Sequence, residues 1–439
     1  MERHYNYARQ ALEDHFGAQR LSSIVTSRRQ FASHVLPDLQ SALIAEADRY
    51  EPVLFGLHQS HPMQSLHASA MLIMGDQALQ IAPVQRFDVD IGTDQPFSAI
   101  SNGLWLFEVD GEPVGVILSR LVEPRARYSI VEVITLPQSV SFTTSLFETL
   151  TNAAKTSQLY RGKTLSFESA SDYSGMRSDM LVHRVPPVSR DKVILEDATL
   201  QRVERHVLEH IYHRQGLREL GQSTRKGILL YGPPGTGKTH LIRYLTSQLP
   251  EHTTILVTAE QVANLGMYMT MARALQPSVF VLEDVDLIGR SREGMGGACS
   301  TEATLNRLLN EMDGLGEEAE ILFILTTNRP GAIEEALASR PGRIDEAIEV
   351  PLPDADCRAR LLALYGKALT FEEGTIAATV AATQGASASF MKELVRRFAQ
   401  FSLACGKDGR VPMADAAAVV GDALGSRTAI GGKLLGFHT

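Results

Sequence analysis

The chain has 439 residues, 44% of them hydrophobic and 21% charged, with a formal net charge of −9. That length exceeds one ordinary core and predicts two or three globular domains of soluble type. The negative charge argues against a surface built mainly for nucleic-acid backbones, and no run approaches the ~18 apolar residues that a bilayer crossing demands.

The first residues, Met1 to Asn6, are polar and charged and lack the apolar core of a signal segment. Residues 1–185 read as a separate α+β domain that carries no nucleotide motif. Helical periodicity runs from Ala8 to Phe16 and from Leu39 to Ala47. Leu104 to Leu118 reads as two strands around an Asp110-Gly111 turn, with Trp105 in the core rather than at a ligand. Strand character continues from Tyr128 to Leu136, and a helix follows from Thr144 to Gln158. Arg184 to Arg190 holds Pro186 and Pro187, which disfavour helix and fit an extended linker, so the domain boundary is placed there.

Residues 186–352 alternate short apolar strands with helical segments. The strands are Gly227 to Tyr231, Thr254 to Thr258, Ser278 to Leu282, Ile321 to Thr326 and Ala347 to Val350. This pattern predicts an α/β domain with a parallel sheet covered on both faces. Residues 353–439 read as a helical lid and C-terminal tail, with helices at Leu361 to Leu369, Thr375 to Ala382 and Ser389 to Leu403. Cys299, Cys357 and Cys405 lie far apart without metal-type spacing, so they read as free thiols of a reducing compartment, with the cytoplasm the simplest location.

Chemistry concentrates in the α/β domain. Directly after the first of its apolar runs comes Gly232-Pro233-Pro234-Gly235-Thr236-Gly237-Lys238-Thr239. Glycines at 232, 235 and 237 let the backbone curl and turn successive N–H groups inward as a nest for phosphates, and a helix beginning near Lys238 adds its N-terminal dipole. Lys238 supplies a point charge to the phosphates, and the Thr239 hydroxyl is placed to ligate Mg²⁺. With His240 behind it, this stretch is the candidate ATP-binding segment.

The acidic strand reads Ser278-Val-Phe-Val-Leu-Glu283-Asp284-Val-Asp286. One carboxylate at the end of such a strand can hold Mg²⁺, directly or through water, and the next can orient and deprotonate an attacking water. Asn328 ends the apolar strand Ile321 to Thr326 and its Thr327 neighbour, where its amide can reach both a γ-phosphate and that water. Arg340 and Arg343, separated by Pro341-Gly342, suit delivery of guanidinium to the γ-phosphate of a neighbouring subunit.

Together with Leu305 to Gly314, these segments closely resemble the AAA ATPases, the branch of the AAA+ superfamily with a second region of homology. The resemblance spans roughly residues 190–405. It implies an α/β ATPase core with a helical lid, ATP and Mg²⁺ as ligands, and a homo-oligomeric ring, usually a hexamer, with ATP sites between subunits. It implies that Lys238 and Thr239 are the Walker A pair, Asn328 the first sensor, and Arg340 and Arg343 the arginine fingers acting in trans. By position, Glu283 faces the metal and Asp284 is the catalytic base. The family usually has Asp-Glu there, so the inversion leaves the base one methylene shorter. The lid segment Gly385-Ala-Ser-Ala-Ser389 resembles the family's stretch near the adenine.

Two other segments carry competing readings. Asn264-Leu265-Gly266-Met267-Tyr268 is a pore-loop candidate for gripping polypeptide, although Met and Tyr at helical spacing also read as core. Gly294 to Ala298 reads as a second pore loop or a plain connector. His206-Val-Leu-Glu-His210 lacks the Glu beside its first His that a zinc protease motif needs, so it reads as the polar face of a helix. The leading functional reading is a ring-forming ATPase that remodels, unfolds or translocates a protein bound through residues 1–185, directly or by an adaptor. A nucleotide-gated assembly or sensor protein with slow or no turnover is the alternative, and a nucleic-acid motor, against which the net negative charge argues, is a third reading.

Overall fold

In a computed structural model of the chain, residues 5–58, 66–73, 79–123, 126–167, 180–287, 308, 310–312, 314–316, 319–331 and 344–425 are described. They divide into two compact units, Met1–Arg161 with Phe167–His183 and Gly162–Ser166 with Arg184–Thr439.

The first unit is built on an antiparallel sheet of β1 (Val25–Ala32), β2 (Val53–His58), β3 (Gln80–Ala82), β6 (Gly103–Val109), β7 (Glu112–Glu123) and β8 (Ala126–Thr135), in the order β1-β8-β7-β6-β2-β3. A small antiparallel pair, β4 (Arg86–Val89) and β5 (Phe97–Ile100), accompanies it. The predicted hairpin is β6–β7, and its turn residues Asp110 (φ 53°) and Gly111 (φ 80°) both sit in the left-handed region that a tight two-residue hairpin requires. Side chains alternate across a strand, and both faces of β6 are covered. Leu104 and Leu106 pack with Leu12 and Phe16 of the helix Ala8–Phe16. Trp105 and Phe107 pack with Leu39 and Leu43 of the helix Leu36–Ala47 and Leu146 of the helix Val140–Lys155. Burial on both sides is why this strand reads as an unbroken apolar run.

The second unit carries the parallel sheet. Its strands β9 (Thr164–Ser166), β11 (Lys226–Tyr231), β12 (Thr253–Thr258), β13 (Ser278–Glu283), β14 (Ile321–Thr327) and β15 (Glu346–Glu349) run in the order β9-β12-β13-β14-β11-β15, while a short strand β10 (Leu181–His183) precedes the linker. The predicted strands are present with bounds shifted by a residue or so, and their pairings are parallel. Strand β9 is an addition, because three residues from ahead of the linker pair with β12. One face of the sheet is sealed by Leu200 and Val203 and by Leu241, Ile242 and Leu245 of the helix Lys238–Ser247. Phe280 and Phe323, both fully buried, meet with ring centroids 5.5 Å apart.

Beyond the sheet, the helices Ala355–Tyr365, Thr375–Ala382, Ala388–Ala404 and Met413–Gly425 close on a core of Leu361, Leu362, Phe390, Leu394, Phe398 and Val420. The first helix stops four residues before the sequence pattern suggests, where the chain turns at Gly366 into a two-residue strand, Thr370–Phe371, paired with Arg410–Val411. The last helix, rich in alanine, was not anticipated. Asp354 and Ser387 cap helix starts by accepting from the N–H of Cys357 and Phe390. Cys357 is buried, which pushes its thiol up to about 12, and Cys405 is an exposed free thiol; Cys299 lies outside the described residues.

Phe107 stacks on Tyr50 at 5.6 Å and meets Phe142 edge-on. Replacing it with alanine should destabilise the first unit by about 3–5 kcal/mol. Trp105, the single tryptophan and only 2% exposed, reports this directly as an earlier red shift of its emission in a urea titration; an unchanged midpoint would contradict the packing.

Candidate functional site

Strand order brings the chemistry together. Because β14 lies between β11 and β13, the loop after β11, the acids after β13 and the turn after β14 emerge side by side at the carboxyl ends of three parallel strands. Thr327 stands beside Tyr231 on one flank, and Leu325 beside Leu282 on the other.

The loop is held tightly from outside. Gly232 (φ 147°) leaves no room for a side chain, since a Cβ there would stand 2.3 Å from the Val350 carbonyl oxygen. Gly235 (φ 77°) would place a Cβ 2.2 Å from Ser389 Oγ, and its carbonyl accepts from the Ser389 N–H at 3.0 Å. Lys238 opens the helix Lys238–Ser247 and is buried. Its ammonium donates to the carbonyls of Gly232 and Pro233, at 2.9 Å each, and to Asn328 Oδ1 at 2.8 Å. Burial pulls the lysine below its ordinary range, while Asp284 and Asp286 act in the opposite sense.

From Asn328 the network continues to the acids. Its amide donates to Asp284 Oδ1 at 2.9 Å. The Asp284 N–H donates to Thr326 Oγ1 at 2.9 Å, which ties down a residue in the left-handed region (φ 51°). Asp286 Oδ1 accepts from the Thr327 hydroxyl at 2.9 Å and the Asn328 N–H at 3.0 Å. On the other side of the loop, Thr239 Oγ1 donates to Glu283 Oε1 at 2.7 Å. A lysine beside a nest of backbone, a hydroxyl paired with one carboxylate, and a second carboxylate tied to an amide can hold a polyphosphate, a hard cation and a water.

Comparison with known proteins agrees with that chemistry. Residues 228–352 match the family "ATPase family associated with various cellular activities (AAA)". Residues 228–352 are thus an AAA domain. It is 33% identical over 236 residues to 26S proteasome regulatory subunit 8 of Caenorhabditis elegans, covering 51% of this chain and 56% of that one. It is 31% identical over 214 residues to the proteasome-activating nucleotidase of Pyrococcus horikoshii, covering 46% and 53%. The chain thus spans about half the length of the curated relatives it matches.

Within this AAA domain, Gly232, Lys238, Thr239, Glu283, Asp284 and Asn328 stand together, as do the intervening Pro233, Pro234, Gly235, Thr236 and Gly237. His240 is directed elsewhere, with its Nε2 3.0 Å from the Lys192 carbonyl. Arg340, Arg343, the loop Gly294 to Ala298 and most of Leu305 to Asp313 lie outside the described residues. Tyr268 is fully buried in the helix Leu265–Ala274, whereas Met267 is 43% exposed. The aromatic of the pore-loop candidate is therefore core. His206 lies near Lys226 and Glu346, and His210 meets the Thr224 carbonyl, so they share no metal geometry. Asp286, Thr326 and Thr327 make contacts that sequence reasoning did not assign, their signal being only hydroxyl residues ending an apolar strand and a third acid after Glu283; Ser387 and Ser389 lie in the lid segment whose resemblance implied a place near the adenine, and Ser389 meets the phosphate loop at Gly235.

Gly232→Ala should destabilise the second unit by about 1–3 kcal/mol even without nucleotide, because both the backbone angle and the Val350 carbonyl oppose a Cβ. A calorimetric scan matching that of the unsubstituted protein would contradict this fit.

Proposed function

We propose that this chain is a Mg²⁺-dependent ATPase that assembles as a homo-oligomeric ring, a hexamer, and couples hydrolysis to remodelling, unfolding or translocation of a protein partner. In this reading residues 1–185 engage the partner or an adaptor, 186–352 form the nucleotide-binding domain, and 353–439 are the helical lid and tail. The observation that carries the ATPase reading is the single network from Lys238 through Asn328 to Asp284, with Thr239 and Glu283 paired beside it. The AAA domain at residues 228–352 supports the ring. The relatives' printed names attach them to the proteasome and to nucleotide hydrolysis, which favours a protein partner over nucleic acid. The cytoplasm fits this setting, and among the described residues no helix is long and apolar enough to cross a membrane.

The roles follow from the contacts. Lys238 exchanges its bonds to the Gly232 and Pro233 carbonyls for phosphate oxygens, so the loop opens its own nest as nucleotide enters. Gly232 to Thr239 cradle the phosphates. Thr239 and Glu283 offer the hard oxygens that suit Mg²⁺, which when bound neutralises phosphate charge. Asp284, one methylene shorter than glutamate, orients and deprotonates the attacking water, and Asn328 holds it against the phosphate end. Asp286 positions Asn328. Arg340 and Arg343 reach the site of a neighbouring subunit, where guanidinium neutralises charge in the transition state.

Lys238→Ala should abolish ATP binding, whereas Asp284→Asn should bind ATP with turnover reduced at least ~10²-fold. Nucleotide binding by fluorescence titration and phosphate release at steady state separate the two. Normal hydrolysis in Asp284→Asn beside a dead Glu283→Gln would reverse the division between the acids. ATP binding without turnover in the unsubstituted protein would favour a nucleotide-gated assembly protein, which the buried Tyr268 and the Glu283-Asp284 order already make the second reading.

A further inference from the structure

At the opposite end of the parallel sheet from the phosphate loop, two arginines and a histidine gather around one acid among the described residues. Arg214 and Arg218 lie one turn apart on the short helix Arg214–Glu219, so they share a face. Glu320 directly precedes β14 and His252 directly precedes β12. Strands of six or seven residues separate these positions from the nucleotide loop by roughly 20 Å. The cluster is therefore independent of the site described above.

Among the described residues the charges do not balance. Arg218 Nη2 donates to Glu320 Oε1 at 2.5 Å, but Arg214 Nη1 stands 3.9 Å from Glu320 Oε2. One carboxylate thus serves two guanidinium groups, and Arg214 is only 6% exposed. Its Nε and Nη2, with Arg218 Nε and both ring nitrogens of His252, are buried without a hydrogen-bond partner among the described residues. A buried charged donor left unpaired is costly, and its presence calls for a hydrogen-bond partner. Nε and Nη2 are the two donors along one edge of a guanidinium, whose spacing matches two oxygens of a carboxylate or phosphate. The Glu320 backbone is fixed, with its N–H on Gln276 Oε1 at 2.6 Å and its carbonyl accepting from Ser278 at 3.0 Å. Burial holds the His252 imidazole down at about 4, with Arg214 adding to the effect, so the ring is neutral and offers one further donor.

We propose that Arg214, Arg218 and His252 form a binding site for a small oxyanion, held two-pronged on the free edge of Arg214. The ligand class is inorganic phosphate or a carboxylate, and the site goes beyond the nucleotide reading because it shares none of its residues.

Inorganic phosphate is the probe, applied to full-length Lys238→Ala protein so that the nucleotide loop contributes as little as possible. At ionic strength matched with sodium chloride, phosphate should raise the melting temperature saturably by about 2–4 °C, and ³¹P line broadening should follow the same titration. Adding Arg214→Met should remove both effects. Arg218→Gln, at a partly exposed position, should weaken them while leaving the circular dichroism spectrum unchanged, which keeps the test valid where Arg214→Met fails to fold. Acetate in place of phosphate distinguishes the sources, because a carboxylate-specific site would respond to acetate more strongly. No saturable shift with either anion, or a shift that survives both arginine substitutions, would overturn the proposal and leave water as the partner of these donors.

Discussion

The structure turns on one side chain held between two others. Asn328 accepts from the Lys238 ammonium and donates to the Asp284 carboxylate. This is possible only because β14 separates β11 from β13 and runs parallel to both. Shifting β14 by one residue would turn its side chains to the opposite face and would take Asn328 away from both partners. The register is in turn fixed by the fully buried strand Ile321–Thr327, so the core decides the chemistry at its edge.

Around that bridge, each neighbouring element adds one constraint. Thr326 holds the backbone of Asp284, Asp286 holds the turn of Asn328, and the end of β15 presses Val350 against Gly232. From the helical region, Ser389 reaches the Gly235 carbonyl, and its hydroxyl lies 2.9 Å from that of Ser387, which caps its own helix. The phosphate loop is thus tied directly to the start of the helix Ala388–Ala404.

Much of this was legible in the sequence, for physical reasons. Parallel strands covered on both faces must be apolar throughout, which is why Val279 to Leu282 and Ile321 to Leu325 stand out as runs. The loop was legible because positive backbone angles at 232, 235 and 237 leave glycine as the natural residue. Strand β9 was not legible, since three residues carry no periodicity and gain strand structure by pairing with β12. His240 adjoins the loop in sequence, but helix geometry turns it toward Lys192. Tyr268 has the residue type of a pore contact, and burial alone shows it to be core. The role of Asp286, and the gathering of Arg214, His252 and Glu320, depend on partners far away in the chain, which no local pattern encodes.

The most direct measurement is ATP binding and single-turnover hydrolysis by Asn328→Ala. If Asn328 ties the phosphate-binding lysine to the catalytic acid, nucleotide should still bind, within about tenfold of the unsubstituted affinity, while the hydrolysis step slows by ~10²-fold or more. Hydrolysis at the unsubstituted rate would show that Lys238 and Asp284 act without that bridge, and the central role given to Asn328 would be wrong.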